Sequence, residues 1–456
     1  MNYYEYLEQL QKKYGTTNTE LLEELAAAGI RISKSNLSHK LKGQRRMTDE
    51  ELEVFIQTVC PTGSEEHTLR SLYKVSQFGE DRYRDVEVIR RGISSLSDDS
   101  VLRIPDDLPD PAAHTDIRGE KPLTDMILSI LRDAWGRGAV GVQCPASFRR
   151  LSDAICANSF RCASEVRHLI CIDNAAGNSA DDDYIQTVFA ADQIACFNIA
   201  YEARFYYDHV NIVGDGFNPF PFYMVTDRYL LLIAHDFKSG FLVRDDKMIA
   251  RYQEEFKRTY AKCTPLMRRT DGVMESLWTL TGLEESCTRR FFVLRHGVSY
   301  LHGFDSGLLN TCIPEDLPER EALISMLNRE ISTAGNNMSC VLHTDTDADA
   351  FLQNGMLMDI PGSMMLPVPR FNRAATIRRA TEAKNDTRRV SPGYLEISPN
   401  ISVNCYDSGT VTLVHSGNEP HCFIITEHKF YNAVRSFFTY LLELESVSDQ
   451  FDEIIR

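Results

Sequence analysis

One stretch of the chain concentrates the side chains that contact nucleic acids. Residues 30–46 carry cations and short polar groups but no Asp or Glu. Lys and Arg bind phosphates, whereas hydroxyl, amide and imidazole groups can hydrogen-bond to base edges. We therefore predict that these residues contact DNA: Arg31, Ser33, Lys34, Ser35, Asn36, Ser38, His39, Lys40, Lys42, Arg45 and Arg46.

Motifs for catalysis are scarce in the rest of the chain. The P-loop pattern, His-Glu-x-x-His and Gly-x-Ser-x-Gly are absent. Residues 136–141 match G-x-G-x-x-G, but a predicted helix precedes them where dinucleotide sites have a strand. The twelve cysteines are scattered singly, which favours reduced thiols over a metal site or a disulfide framework. We predict no enzymatic activity and no cofactor.

The charge and hydropathy of the chain limit the classes of molecule that it can bind. The formal net charge of −16 argues against nucleic acid for the chain as a whole. DNA responds to the local patch, however, and residues 30–46 form a basic stretch on an acidic protein. No apolar run approaches the roughly 20 residues of a membrane helix. The first residues, Met-Asn-Tyr-Tyr-Glu, lack the features of a signal peptide, so we expect a cytoplasmic protein without a membrane partner.

Four helices are predicted in residues 1–62 from apolar periodicity and end signals. Gly15 ends the first helix, and Gly29 ends the second. The third uses Leu37 and Leu41 as apolar anchors and stops at Gly43. Capping-box pairs begin the second and fourth helices, at Thr17 with Glu20 and at Thr48 with Glu51. The third helix, with few apolar residues and a basic outer face, has the composition of a recognition helix.

Three runs in this region resemble the Cro/phage-repressor (XRE-like) helix-turn-helix family. They are Thr19 to Ile30, Asn36-Leu-Ser-His-Lys-Leu-Lys-Gly43, and Arg45 to Leu52. The resemblance covers about 60 of the 456 residues. It implies that the third helix reads the major groove. The turn between the second and third helices is longer than in the family members with the shortest turns, which leaves open which of Ser33, Lys34 and Ser35 begins the third helix. By resemblance, the base-facing residues are Ser35, Asn36, His39 and Lys40, and the phosphate-binding residues are Arg31, Lys42, Arg45 and Arg46.

The remaining chain predicts a connector and two α/β lobes. Residues 63–122 form the connector: a helical part, then an acidic, proline-rich stretch from Ser94 to Pro122 that is typical of an extended linker. Lobes are predicted at 123–268 and 269–456. Shifting the chain by 182 positions aligns Phe241–Val243 with Phe423–Ile425, and Phe256 with Phe438, which suggests a duplication. The predicted fold class is therefore multidomain α+β, with an all-α helix-turn-helix bundle followed by two α/β lobes.

A duplicated α/β arrangement of this kind faintly resembles the phospholipase D-like fold. That family's catalysis uses His-x-Lys followed by Asp in each lobe, whereas this chain has His235-Asp-Phe-Lys238 and His428-Lys429. The resemblance thus implies a fold without its activity. We predict a homodimeric DNA-binding transcriptional regulator whose lobes bind a small-molecule or protein effector or mediate assembly. The alternatives are a DNA-targeted phosphodiesterase or nuclease-like enzyme, and a protein-interaction scaffold.

Overall fold

The computed structural model of the chain divides into two compact units, Met1–Glu87 and Val88–Arg456. The fold class is α+β, as predicted, because a helical first unit precedes a unit with two mixed sheets. Within the described residues, no helix is both long and apolar enough to cross a membrane. The structure describes residues 2–45, 47–59, 62–96, 107–113, 115–145, 148–159, 165–173, 178–197, 200–208, 219–333, 339–345, 347–357, 360, 362–382, 386–390, 395, 397–416 and 420–443.

The first unit is built from short capped helices, including the four predicted from the sequence. In α1, α2 and α5, the side chain of the residue before the helix accepts a hydrogen bond from the N–H of the third helical residue. That third residue is a Glu, and its carboxylate accepts a hydrogen bond from the N–H of the cap residue. This reciprocal capping satisfies backbone donors that a short helix leaves exposed. The helices are α1 Tyr3–Tyr14, α2 Asn18–Ala27, α3 Lys34–Leu41, α4 Asp49–Val59 and α5 Gly63–Phe78, and α6 Glu80–Leu96 begins in this unit.

All five of these helices contribute to one apolar core. Leu7, Leu25 and Phe55 are at most 1% exposed, and Leu69 and Tyr73 of α5 join them. The Tyr73 hydroxyl also donates a hydrogen bond of 2.7 Å to the carbonyl of Met47. The first unit therefore includes α5, which the sequence had assigned to the connector.

The first lobe of the second unit contains an eight-stranded sheet in the order β1-β7-β6-β5-β2-β3-β4-β8. Strands β2, β3 and β4 are parallel, and the other pairs are antiparallel. The elements are β1 Asp116–Arg118, α7 Glu120–Ala134, β2 Val140–Pro145, α8 Arg149–Ser159, β3 Val166–Asp173, α9 Asn178–Phe197, β4 Tyr201–Asp208, β5 Phe222–Val225, β6 Leu230–Ile233, β7 Ser239–Val243, α10 Asp246–Tyr260 and β8 Thr264–Pro265.

The second lobe contains a seven-stranded sheet in the order β12-β11-β10-β13-β14-β15-β9. Strands β10, β11 and β12 are parallel, and the other pairs are antiparallel. The elements are β9 Arg268–Asp271, α11 Val273–Ser286, β10 Phe291–Arg295, α12 Ser306–Cys312, α13 Arg320–Thr333, β11 Ser339–His343, α14 Ala348–Asn354, α15 Arg373–Glu382, β12 Asp386–Arg389, β13 Ile401–Tyr406, β14 Thr410–His415, β15 His421–Ile425 and α16 His428–Glu443.

The two lobes repeat one topology, which confirms the predicted duplication. Six strands have the same order and directions in both sheets, and β7 and β15 begin 182 residues apart. An edge strand, β1 or β9, pairs antiparallel with the equivalent strand of each sheet. A glycine with positive φ then begins the next helix, Gly119 at 106° and Gly272 at 91°. Phe256 and Phe438 are both buried, at 5% and 0% exposure.

Part of the predicted linker belongs to the first lobe instead. Asp116–Arg118 forms edge strand β1, with Ile117 buried, and the N–H of Gly119 donates to the carbonyl of Lys238. The last turns of α6 are also buried, and Gly92 lies against the ring of Phe189. Proline and aspartate favour an extended chain, and an edge strand is also extended. Composition therefore did not distinguish a linker from an edge strand. Residues 97–106 and 114 of this stretch lie outside the described residues.

Candidate nucleic-acid interface

Helix α3 is fixed at both ends by local hydrogen bonds. Ser33 is its N-cap, and the Ser33 hydroxyl accepts a 3.1 Å hydrogen bond from the N–H of Asn36. Leu37 is 1% exposed and anchors the helix in the core. Gly43 follows at φ 72°, a conformation that glycine adopts without steric cost. The cap settles the open choice at the start of the helix: Lys34 is its first residue.

Most of the predicted contact residues lie on the surface. Asn36 and Ser38 are half-buried. Seven others are exposed: Arg31, Ser33, Lys34, Ser35, His39, Lys42 and Arg45. Arg46 lies outside the described residues. The structure thus places a cationic and polar face along α3 and its flanks.

Two side-chain contacts organise the C-terminal side of this face. The guanidinium of Arg45 donates a 3.1 Å hydrogen bond to the amide oxygen of Asn36. The imidazole Nδ1 of His39 is hydrogen-bonded to the amide oxygen of Gln44. The first contact turns the Asn36 amide so that its NH₂ group remains available to another acceptor. Both contacts lower the conformational freedom that these side chains would lose on binding.

Lys40 does not belong to this face, which corrects the sequence-based assignment. Its side chain is 10% exposed, and Nζ lies 2.5 Å from Oε2 of Glu51, whose side chain is 5% exposed. The same carboxylate accepts a 2.9 Å hydrogen bond from the N–H of Thr48, the residue before α4. Helical spacing places Lys40 next to Leu37 and Leu41, and a buried acid from α4 meets it there. Lys40 therefore joins α3 to α4 and is not available to a phosphate or a base.

The His-x-Lys-like residues of the two lobes lie in separate local settings. His235 and Lys238 are exposed in the turn between β6 and β7. His428 is exposed in the first turn of α16, where its ring contacts the Asn432 amide. Lys429 follows it, and its N–H donates to the carboxylate of Glu427. The ring of His235 also stacks on the ring of Phe222 in β5.

A cavity of about 170 Å³ lies within the second lobe. Burial raises the pKa of Glu284 in its wall to about 7, and nearby Arg295 opposes that shift. The volume is below the roughly 300–1,000 Å³ of drug-sized ligand sites, so it suits a small polar molecule. Other polar side chains in its wall include His296, Ser299, His302, Glu330, Ser402 and Asn404.

The solved structures that resemble this chain include two with weak similarity. One is the phosphatidylserine synthase of Haemophilus influenzae Rd KW20, with 11% identity, a TM-score of 0.25, and coverage of 80% of this chain and 91% of the other. Another is TrmBL2, an archaeal chromatin protein described as showing a novel mode of DNA binding, with 12% identity, a TM-score of 0.21, and coverage of 57% and 98%. No protein-family model and no curated protein matches the chain. Scores this low do not show a shared fold.

Proposed function

We propose that the chain is a DNA-binding transcriptional regulator of the helix-turn-helix type, with α3 as its recognition helix. The observation that supports this most directly is the exposed, acid-free face formed by α3 and its flanks. A recognition helix needs few apolar anchors, here Leu37, and an outer face of donors and cations. The six residues between Ala27 and Lys34 form the turn between α2 and α3.

The proposed contacts divide into two kinds. Arg31, Lys42 and Arg45 flank the helix and bind phosphates, which sets affinity and register. Ser35 and His39 on the outer face, together with the Asn36 amide, read base edges. The net charge of −16 does not oppose this division, because exposed charges more than about 10 Å apart are largely screened at physiological salt.

A salt titration tests the phosphate contacts. We expect Lys42→Ala combined with Arg45→Ala to weaken binding of the full chain to all duplexes alike. The slope of log K against log salt should fall by about 0.9 for each phosphate that the variant no longer neutralises. Lys247→Ala is the matched control, because it removes an exposed cation from α10 in the first lobe. An unchanged slope in the double variant would remove these two residues from the interface.

Selection of bound fragments from genomic DNA tests the base contacts. Asn36→Ala should relax the preference at one position of the selected site, at a cost of about 1–3 kcal/mol for the preferred base. If the full chain selects no sequence and its DNA affinity is insensitive to salt, the first unit serves protein contacts instead. The scaffold function would then replace the regulator.

The second unit is proposed to mediate assembly or to sense an effector. One recognition helix reads too few base pairs to define a genomic site, so such proteins usually pair two helices on successive major grooves. The second-lobe cavity around Glu284 and Arg295 is the proposed effector site. A carboxyl with a pKa near 7 changes its charge in response to a bound ion or a small pH change, which is a property of functional sites.

A further inference from the structure

Four potential metal ligands from distant parts of the sequence meet between the two lobes. Asp192 and Cys196 lie one helical turn apart on α9 and therefore share one face of that helix. His415 ends β14, and His421 begins β15 directly opposite it in the antiparallel register. Paired residues of neighbouring strands point to the same side of the sheet, so the two imidazoles lie together.

Two distances from the Cys196 sulfur match the edges of a tetrahedron of ligands around a zinc ion. Sγ of Cys196 lies 3.4 Å from Nε2 of His421 and 3.6 Å from Nε2 of His415. The same His415 nitrogen lies 3.1 Å from a carboxylate oxygen of Asp192. Zinc bonds of about 2.0–2.3 Å give a tetrahedron with edges of roughly 3.3–3.8 Å. The donor atoms of Cys196, His415 and His421 thus all lie within 4.8 Å of one another, and Asp192 reaches this cluster through its contact with His415.

We propose that Cys196, His415, His421 and Asp192 bind one Zn²⁺ ion that joins the first lobe to the second. Thiolate, imidazole and carboxylate are the ligand types that zinc prefers. A thiolate and a carboxylate also neutralise the charge of the ion, so the assembled site is neutral and can be buried without a charge penalty.

The burial of Asp192 is the second observation that favours an ion. Its carboxylate is 0% exposed, and within the described residues its hydrogen-bond contacts are to the single nitrogen Nε2 of His415. One imidazole N–H satisfies only part of a carboxylate's hydrogen-bonding capacity. A buried carboxylate with so little compensation is costly, and a coordinated cation removes that cost.

The same geometry argues against a nucleophilic Cys-His-Asp triad. In such a triad, the nucleophile and the acid contact opposite nitrogens of the imidazole, so that the ring relays a proton between them. Here Asp192 is hydrogen-bonded to Nε2 of His415, and the Cys196 sulfur is also nearer to Nε2, at 3.6 Å, than to Nδ1, at 3.8 Å. Convergence of two donors on one nitrogen is the arrangement expected around an ion that replaces the proton.

With four protein ligands the site has no open position, which is typical of structural and not catalytic zinc. It connects helix α9 of the first lobe to the β14–β15 hairpin of the second. Zinc binding should therefore stabilise the association of the two lobes, because an ion that binds only the folded arrangement adds its binding free energy to stability.

Metal analysis of the untagged full chain tests the proposal. We expect one zinc per chain after dialysis, and Co²⁺ in its place should give intense tetrahedral d–d bands together with a thiolate-to-metal charge-transfer band. Cys196→Ser should abolish the charge-transfer band and weaken zinc binding at least about a hundredfold, since even outer-shell substitutions cost about 10–100-fold. The matched control is Cys263→Ser, at a partly exposed cysteine of the first lobe outside the cluster, which should retain both properties.

A second variant separates loss of the ion from loss of the fold. His421→Gln, checked by circular dichroism and gel filtration, should also lose zinc, and a chelator should lower the melting temperature of the wild type but not of either variant. The proposal is overturned if the wild type binds no more zinc than Cys196→Ser, or if its Co²⁺ complex has no thiolate band. The proposal would also be overturned if the wild type bound less than one zinc per chain and Cys263→Ser removed that zinc as completely as Cys196→Ser does.

Discussion

Replacing Lys40 by methionine should destabilise the first unit without removing a DNA contact. The substitution keeps the length of the side chain but removes the ammonium that neutralises the buried carboxylate of Glu51. Loss of one partner of a buried pair usually costs about 3–5 kcal/mol. The N–H of Thr48 still donates to the Glu51 carboxylate, so we expect the lower end, about 3 kcal/mol.

Native-state hydrogen exchange of the full chain measures this effect locally. The opening equilibrium of amides in α3 and α4 should rise by about a hundredfold, because 1.4 kcal/mol corresponds to a factor of ten. Lys34→Met makes the same chemical change at an exposed position of the same helix and should alter opening by less than about 0.5 kcal/mol. Adding Glu51→Gln to Lys40→Met removes the orphaned charge and should restore much of the protection.

Wild-type protection in the Lys40→Met protein would refute the burial of this pair. The assay also separates two interpretations of Lys40. If Lys40 bound phosphate, its replacement would weaken DNA binding and leave exchange unchanged. If it joins α3 to α4, exchange rises even without DNA.

Three further predictions concern the second unit. Burial lowers the pKa of His168 to about 4, so this ring stays neutral in the fold but takes up a proton in the unfolded chain below about pH 6.5. Stability should fall as pH drops from about 6.5 to 4, and His168→Gln should flatten that dependence in urea titrations at each pH. Gly303→Ala places a Cβ 2.0 Å from the carbonyl oxygen of Thr376 and should lower the unfolding midpoint, whereas Gly282→Ala, in open space within α11, should raise stability by up to about 1 kcal/mol. Sedimentation should show a dimer for the full chain and a monomer for residues 1–87, the first unit; a monomeric full chain with its DNA would contradict the assembly role.

Elements whose sequence pattern repeats at a fixed spacing were predictable. The 182-residue offset that aligned Phe256 with Phe438 is present in the strands and in the final helices, because each copy must bury the same helix face on the same sheet. The four N-terminal helices were predicted from their capping residues and from the spacing of their apolar residues. Helix caps and apolar spacing involve residues close together in the chain, so a single sequence is enough to detect them.

Features that depend on contacts between distant segments were not predictable. Lys40 carries a charge in a basic stretch, and only the position of Glu51 on another helix shows that this charge is buried. The proposed zinc ligands could not be predicted because Cys196 and His421 are 225 residues apart and no short ligand spacing marks either one. The signal that the sequence contains is weak: two histidines, His415 and His421, that lie six residues apart.

The proposed metal site also distinguishes two lobes that share one topology. The residues 182 positions before His415 and His421 are Ile233 and Ser239, an aliphatic side chain and a hydroxyl. The first copy of the hairpin therefore has no imidazole at the two equivalent positions, and the second copy supplies both. Duplication accounts for the strands that the lobes share. The proposed ion, however, is bound by different elements of the two copies: helix α9 of the first lobe and the β14–β15 hairpin of the second. Changing Ile233 and Ser239 to histidine would not create a second zinc site unless a thiolate and a carboxylate also faced them. The difference between the lobes therefore depends on the helix that faces each hairpin as well as on the hairpin itself.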